Sequence, residues 1–192
     1  MDLAEVILDN LIDDGIVKDI PIIGTIVGLG KVTIGIKERL FLKKIIYFIS
    51  ELRNIPSQER KQMVDKIDSS GKFRTKVGEK LLYIIDSCED HEKTQVVARL
   101  FAAFISQKLN YQEFLRSSSI VQHPMLDDLK WFINYEYDDF GFEEAGDLIN
   151  TGLFYLTVEN QQDRDLKAPT RYELRVYLNE IGKKMREVLK NT

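Results

Sequence analysis

PIIGTIVGLGKVTIG, residues Pro21 to Gly35, admits three readings, and each implies a different fold. A phosphate-binding loop would place it between a strand and a helix of an α/β domain. A membrane segment would place it in lipid or against copies of itself. A core helix would bury it in a bundle. The phosphate loop needs G-x-x-x-x-G-K-[ST], so that backbone N–H groups wrap the phosphates and a hydroxyl meets magnesium. Here Thr25 stands five residues before Gly30 where the first glycine belongs, Val32 follows Lys31, and no strand-like run leads in. The nucleotide-loop reading is disfavoured, which leaves a helix.

From Ile20 to Ile36 the only charge is Lys31. A spanning helix needs about 20 apolar residues, and a central lysine costs about 3 kcal/mol on insertion scales. A lone, lipid-facing span is therefore disfavoured. An oligomer changes the argument. Gly24, Gly28, Lys31 and Gly35 fall at i, i+4, i+7 and i+11, one helical face, where small residues let backbones approach closely. Each glycine weakens a soluble helix by about 1 kcal/mol relative to alanine, so close packing of some kind is implied. Two readings stay open: a buried helix of a soluble bundle, or a membrane and oligomer interface. Downstream, Lys37, Arg39, Lys43 and Lys44 alternate with Phe41, Ile45, Ile46, Tyr47 and Phe48. Bases beside an apolar helix suit an anionic membrane surface or another anion.

The rest of the chain reads as mainly α. A short amphipathic helix on Leu3, Val6, Ile7 and Leu11 is expected to end at Gly15, and the next helical pattern runs from about Pro21 to Arg53, where Pro56 stops it. Further helices are expected over 57–68, 76–86 and 91–108. Asn110 with Glu113 forms a capping-box-like start for another, ending near Val121, and Pro124 opens a sixth. Then the texture changes. Residues 143–150 read as a short helix closed by Gly152, while LFYLTVE (153–159) and RYELRVYL (171–178) alternate like strands. Asn179 caps a last helix, EIGKKMREVLK. The expectation is a helical bundle with a glycine-containing apolar N-terminal helix and a C-terminal winged-helix-like module with a β-hairpin. The expected regions are 1–56, an apolar or amphipathic helical segment at a membrane or oligomer interface, 57–122, a helical bundle, and 123–192, the module.

Net charge is −4 but unevenly spread: −5 over residues 1–19, +6 over 20–123, −9 over 124–166 and +4 over 167–192. Such asymmetry points to localised anion-binding surfaces on an acidic protein. In the module these would be Lys167, Arg171, Arg175, Lys183, Lys184 and Arg186. With Tyr172 and Tyr177 nearby, such bases suit single-stranded nucleic acid or another oligoanion, or else simply balance the acidic run before them. Duplex readout through FEEAGDLIN is disfavoured, because Glu143, Glu144 and Asp147 would repel phosphates.

Catalytic chemistry finds no local support. One cysteine, Cys88, permits no internal disulfide and suits a reducing compartment, and with His91 and His123 it makes no zinc-ligand spacing. The acidic start carries no basic region before an apolar run, so no secretory signal is expected. Asp127/Asp128, Asp138/Asp139 and Glu143/Glu144 are adjacent pairs, which diverge in regular structure. A non-enzymatic protein without a cofactor is expected.

The order of parts resembles a known group. A glycine-containing apolar segment precedes DHEKTQVVARLFAAFISQKLNYQEFLR, and GLFYLTVE with RYELRVYLNEIGKKMREVL makes a winged-helix-like ending. This layout is similar to the Abi-alpha-like proteins of bacterial abortive infection, and to the channel subunit of Hailong-type antiphage systems. The resemblance implies a homo-oligomer that perturbs the bacterial inner membrane through Gly24, Gly28, Lys31 and Gly35. It implies gating by an anion, in Hailong-type systems a DNA oligomer made by a partner protein of the same operon. The alternative is a cytoplasmic helical regulator that binds a protein or nucleic acid.

Overall fold

The computed structural model describes residues 36–190, except 54, 69–70 and 162–170. The expected first helix, the segment 20–35 and most of the hairpin tip lie outside the described residues. The chain falls into two units, one ending at Gln122 and one beginning at His123.

Among the described residues of the first unit, five helices follow one another: α1 (Ile36–Leu52), α2 (Ser57–Asp68), α3 (Gly71–Ser87), α4 (His91–Ile105) and α5 (Tyr111–Gln122). α1 packs on α4 and α3, α4 on α5, and α2 on α3. The reason is visible in the spacing of the apolar positions. Leu42, Ile45, Phe48, Ile49 and Leu52 recur at helical intervals on α1 and are all buried. Phe48 meets Phe101 of α4, on which Val97, Leu100 and Phe104 are also buried. Phe101 lies 5.6 Å from Phe48 and 5.5 Å from Phe114 of α5, in tilted and edge contacts that aromatic rings favour.

Helix ends follow local chemistry. Asp90 caps α4 by accepting from the Lys93 N–H at 2.9 Å. Asn110 and Glu113 complete a reciprocal capping box: the Asn110 N–H donates to Glu113 Oε2 at 2.8 Å, and the Glu113 N–H donates to Asn110 Oδ1 at 3.0 Å. α4 stops at Ile105, three residues before the expected end. Its last carbonyls are closed by Gln107 N–H to Phe104 O and Lys108 N–H to Ala103 O, with Gln107 at φ 61°. That is the Schellman arrangement, built on a residue other than glycine, which gives the sequence no stop signal. α3 starts at Gly71, five residues before the expected start, since a glycine announces no helix start.

The second unit holds α6 (Leu126–Asn134), β1 (Asp139–Gly141), α7 (Phe142–Ala145), a 3-10 turn (Gly146–Thr151), β2 (Phe154–Gln161), β3 (Arg171–Leu178) and α8 (Glu180–Lys190). The sheet is antiparallel, in the order β1-β3-β2. The structure is mainly helical with a small three-stranded sheet at its C-terminal end, as expected. β1 was not anticipated: three residues are too short to show alternation. The expected helix over 143–150 is broken at Gly146, whose φ is 48°, into one α turn and a 3-10 segment. Gly152 ends it in the left-handed region at φ 91°, as a C-terminal glycine should. Asn179 Oδ1 accepts from the Gly182 N–H at 2.9 Å and starts α8. α8 then buries Ile181, Met185, Val188 and Leu189 against α6 and the sheet.

Candidate functional site

α1 presents two different sides. The side that carries Leu42, Ile45, Phe48, Ile49 and Leu52 is docked on α3 and α4. On the opposite side, at the start of the helix, Ile36 is 79% exposed and Leu40 57% exposed among the described residues. Ile36 and Leu40 stand at i and i+4, so they share one side of the helix. Lys37, Arg39 and Lys43 surround them and are exposed. Lys43 Nζ also lies 5.8 Å from the centre of the Tyr47 ring, a weak cation–π contact. Two apolar side chains ringed by three bases form a patch that can lie on an anionic, partly apolar surface. The candidate residues Gly24, Gly28, Lys31 and Gly35 fall immediately upstream, outside the described residues.

Lys44 faces the other way. Its ammonium donates to Asp86 O at 2.8 Å and to Cys88 O, at the C-terminal end of α3. A cation placed on the last carbonyls of a helix satisfies groups that lack an intrahelical partner. Beside it, the buried Lys93 bonds Glu89 Oε2 at 2.9 Å and Gln122 O at 3.4 Å. Lys93 drew no attention in the sequence, because a lysine in the first turn of a helix normally points to water. Cys88 lies between the two lysines, buried, with its thiol 3.3 Å from Ile84 O. Burial pushes the thiol's pKa up, and Thr94, Lys44 and Lys93 offset only part of that. A thiolate is thereby disfavoured. His91 opens α4, with its ring centre 4.5 Å from that of Tyr47.

The module disperses its bases. Arg175, on β3, reaches Asp139 Oδ2 at 2.8 Å and Glu173 Oε1 at 3.6 Å. Tyr177 on the same face stacks on Tyr155 at 5.6 Å, and its hydroxyl donates to Glu159, which raises the phenol's pKa. Arg186 is buried. Its Nη1 donates to Tyr137 O at 2.6 Å and to Asp138 Oδ1 at 3.1 Å, and its guanidinium lies 5.0 Å from the Phe132 ring and 5.5 Å from the Phe140 ring. Burial lowers its pKa, and Asp138 counters. Lys183 is half-exposed, 4.0 Å from Asp138. Lys184 is partly buried and engaged. Arg171 opens β3 opposite Gln161, and Lys167 lies outside the described residues. Thus Arg175 serves a salt-bridge network on the sheet and Arg186 serves the core, while Asp138 and Asp139 are their acidic partners. The adjacent aspartates diverge as alternation dictates, one toward each arginine.

The segment that would read a DNA groove in a winged helix is one α turn followed by a 3-10 turn, and Glu143, Glu144 and Asp147 on it are exposed. Among the described residues, no group of three or more histidine, cysteine or acidic side chains gathers to hold a metal ion. Among them, too, no helix is long and apolar enough to cross a membrane. No protein-family model, curated protein or solved structure matches the chain.

Proposed function

We propose that the protein is a non-enzymatic, self-assembling membrane effector, of the kind used in bacterial antiphage defence and seated at the inner membrane. The observation that carries the reading is the patch at the start of α1. One side of the helix is anchored in the bundle, whereas the opposite side, at its first turns, exposes Ile36 and Leu40 among Lys37, Arg39 and Lys43. In the sequence these turns directly follow the glycine-lined segment containing Lys31. A rigid bundle thus holds a basic–apolar helix end next to an apolar sequence, an arrangement suited to an anionic lipid surface. In this reading copies assemble through the Gly24, Gly28 and Gly35 face, with Lys31 toward a water-filled axis. An anionic ligand such as an oligonucleotide, supplied by a partner protein of the same operon, gates the assembly. Lys37, Arg39 and Lys43 are its first candidate contacts.

The test is co-sedimentation and dye release with vesicles of phosphatidylglycerol and of phosphatidylcholine, with and without short DNA oligomers. The expected result is binding to the anionic vesicles, lost in Leu40→Glu and weakened in Lys37→Gln/Lys43→Gln. A full chain that ignores both vesicle types and releases no dye, with or without oligomer, overturns the reading. The second reading is a helical regulator acting on a protein or nucleic acid through its winged-helix-like module. The β1-β3-β2 order favours it, and protein that stays off vesicles yet binds the oligomer would support it.

A further inference from the structure

β2 is an edge strand, and its exposed backbone can be read from the hydrogen bonds at the base of the hairpin. The Leu178 N–H donates to Asp138 O, on the β1 side, and the Asn179 N–H donates to Leu153 O, on the β2 side. Backbone groups alternate along an antiparallel strand, so Tyr177, Arg175 and Glu173 bond toward β2. Their partners Tyr155, Thr157 and Glu159 bond back toward β3. The N–H and C=O groups of Leu156, Val158 and Asn160 therefore point outward, along an edge that no other described strand covers. Natural sheets blunt such an edge with proline, lysine, a bulge or a very short strand. β2 runs for eight residues, FYLTVENQ, with neither proline nor lysine, and its one-to-one register with β3 leaves no bulge.

The side chains extend the argument. On the face that begins in the module core with Val176 and Leu178, the hairpin continues outward with Leu156 (49% exposed), Val158 (62%), Leu174 (39%) and Tyr172 (71%). This is a core-type face that runs past its own cover.

We propose that β2 pairs with β2 of a second copy, antiparallel about a two-fold axis at Thr157, joining two three-stranded sheets into one of six. The register is chosen by complementarity. Centring on Thr157 sets Leu156 opposite Val158 of the other copy, twice, so the outward backbone groups meet as reciprocal hydrogen-bonded pairs. The apolar side chains meet on the same face. On the other face it sets Tyr155 opposite Glu159, which keeps the two Glu159 carboxylates apart. Centring on Val158 instead would place Leu156 against Asn160. The inference rests on the self-assembly in the reading above and gives it a surface outside the N-terminal segment.

Thr157 would face its own counterpart in a non-hydrogen-bonded pair, with Cα atoms about 4.5 Å apart, inside the roughly 4.4–6.8 Å range of a disulfide. Tyr155 would face its counterpart only across four residues, at about 3.4 Å per residue. The test is mild oxidation of full-length Thr157→Cys, Tyr155→Cys and wild type, read on non-reducing gels, with light scattering for mass. Thr157→Cys is expected to cross-link into a reducible dimer, and the other two are not. Val158→Pro removes an N–H that points away from β3, so the hairpin keeps its ladder. Added to Thr157→Cys, it is expected to abolish the cross-link, as is Leu156→Lys, and circular dichroism checks that each variant is folded. Equal cross-linking at 155 and 157, or an oligomer by mass whose Thr157→Cys stays uncross-linked, overturns this interface and leaves the membrane reading standing. A chain that is monomeric both in buffer and on anionic vesicles overturns both.

Discussion

Both units bury cations, Arg60 and Lys93 in the helical unit and Arg186 in the module, and Lys93 and Arg186 are held by different means. In the helical unit Lys93 is buried but leans on an exposed Glu89 and a helix-end carbonyl. In the C-terminal module Arg186 lies between Phe132 and Phe140, and its Nη1 alone bonds Tyr137 O and Asp138. A lysine is a compact charge on a flexible stem, and it can be removed if its partner can return to water. An arginine is a flat plate that stacks as well as bonds, and no other side chain fills that shape. The difference teaches that the bundle would hold its packing without the Lys93 charge, whereas the module is built around Arg186.

The largest expected effect follows from that contrast. Arg186→Ala is expected to destabilise the module by about 3 kcal/mol, and Arg186→Lys to recover little of it, since the ring contacts are lost in both. Urea unfolding followed through Trp131, which neighbours Phe140 at 5.8 Å, reads the module directly. A lysine variant as stable as wild type would break the comparison. Next comes Gly182→Ala on α8. A Cβ there would stand 2.5 Å from Leu153 O and 3.0 Å from Leu178 Cδ2, so backbone must move, at a cost of about 2 kcal/mol. It sharpens the same point, because it tests how tightly α8 presents Arg186.

On the other side, Lys93→Met is expected to cost only about 1 kcal/mol. Glu89 is already solvated, and a cation in the first turn of α4 is disfavoured by the helix dipole. A loss as large as that of Arg186→Ala would erase the distinction between the units. The smallest effect has the opposite sign. Gln107→Gly relieves the left-handed residue that closes α4 and should stabilise the bundle by about 1 kcal/mol, seen as a raised Tm.

Much of the fold was legible because its signals are local. The Ser57–Asp68 helix, the Asn110/Glu113 box, Gly152 and Asn179 each declare an end through a side chain or a φ value that neighbours cannot easily override. The missed features are non-local. β1 exists only because β3 pairs with it. α4 ends early because its last carbonyls are capped by a glutamine. Lys44 and Arg186 both scored as surface bases in the sequence, since charge and neighbours are all a sequence offers. Their fates were decided by a helix end in one case and by two phenyl rings in the other. The exposed patch on α1 was half legible: the bases and apolar residues were visible together, but not which side of the helix docks.

By itself, the sequence determined the helical class, most helix starts, the hairpin strands and the uneven charge, because these depend on short-range periodicity and capping. The tertiary structure alone decided which lysines and arginines remain outside, which side of α1 docks, and that β2 ends the sheet of described strands with its backbone outward. Those outcomes depend on which surfaces meet. Residues far apart in the chain set the burial that makes one cation a core element and leaves another at the surface.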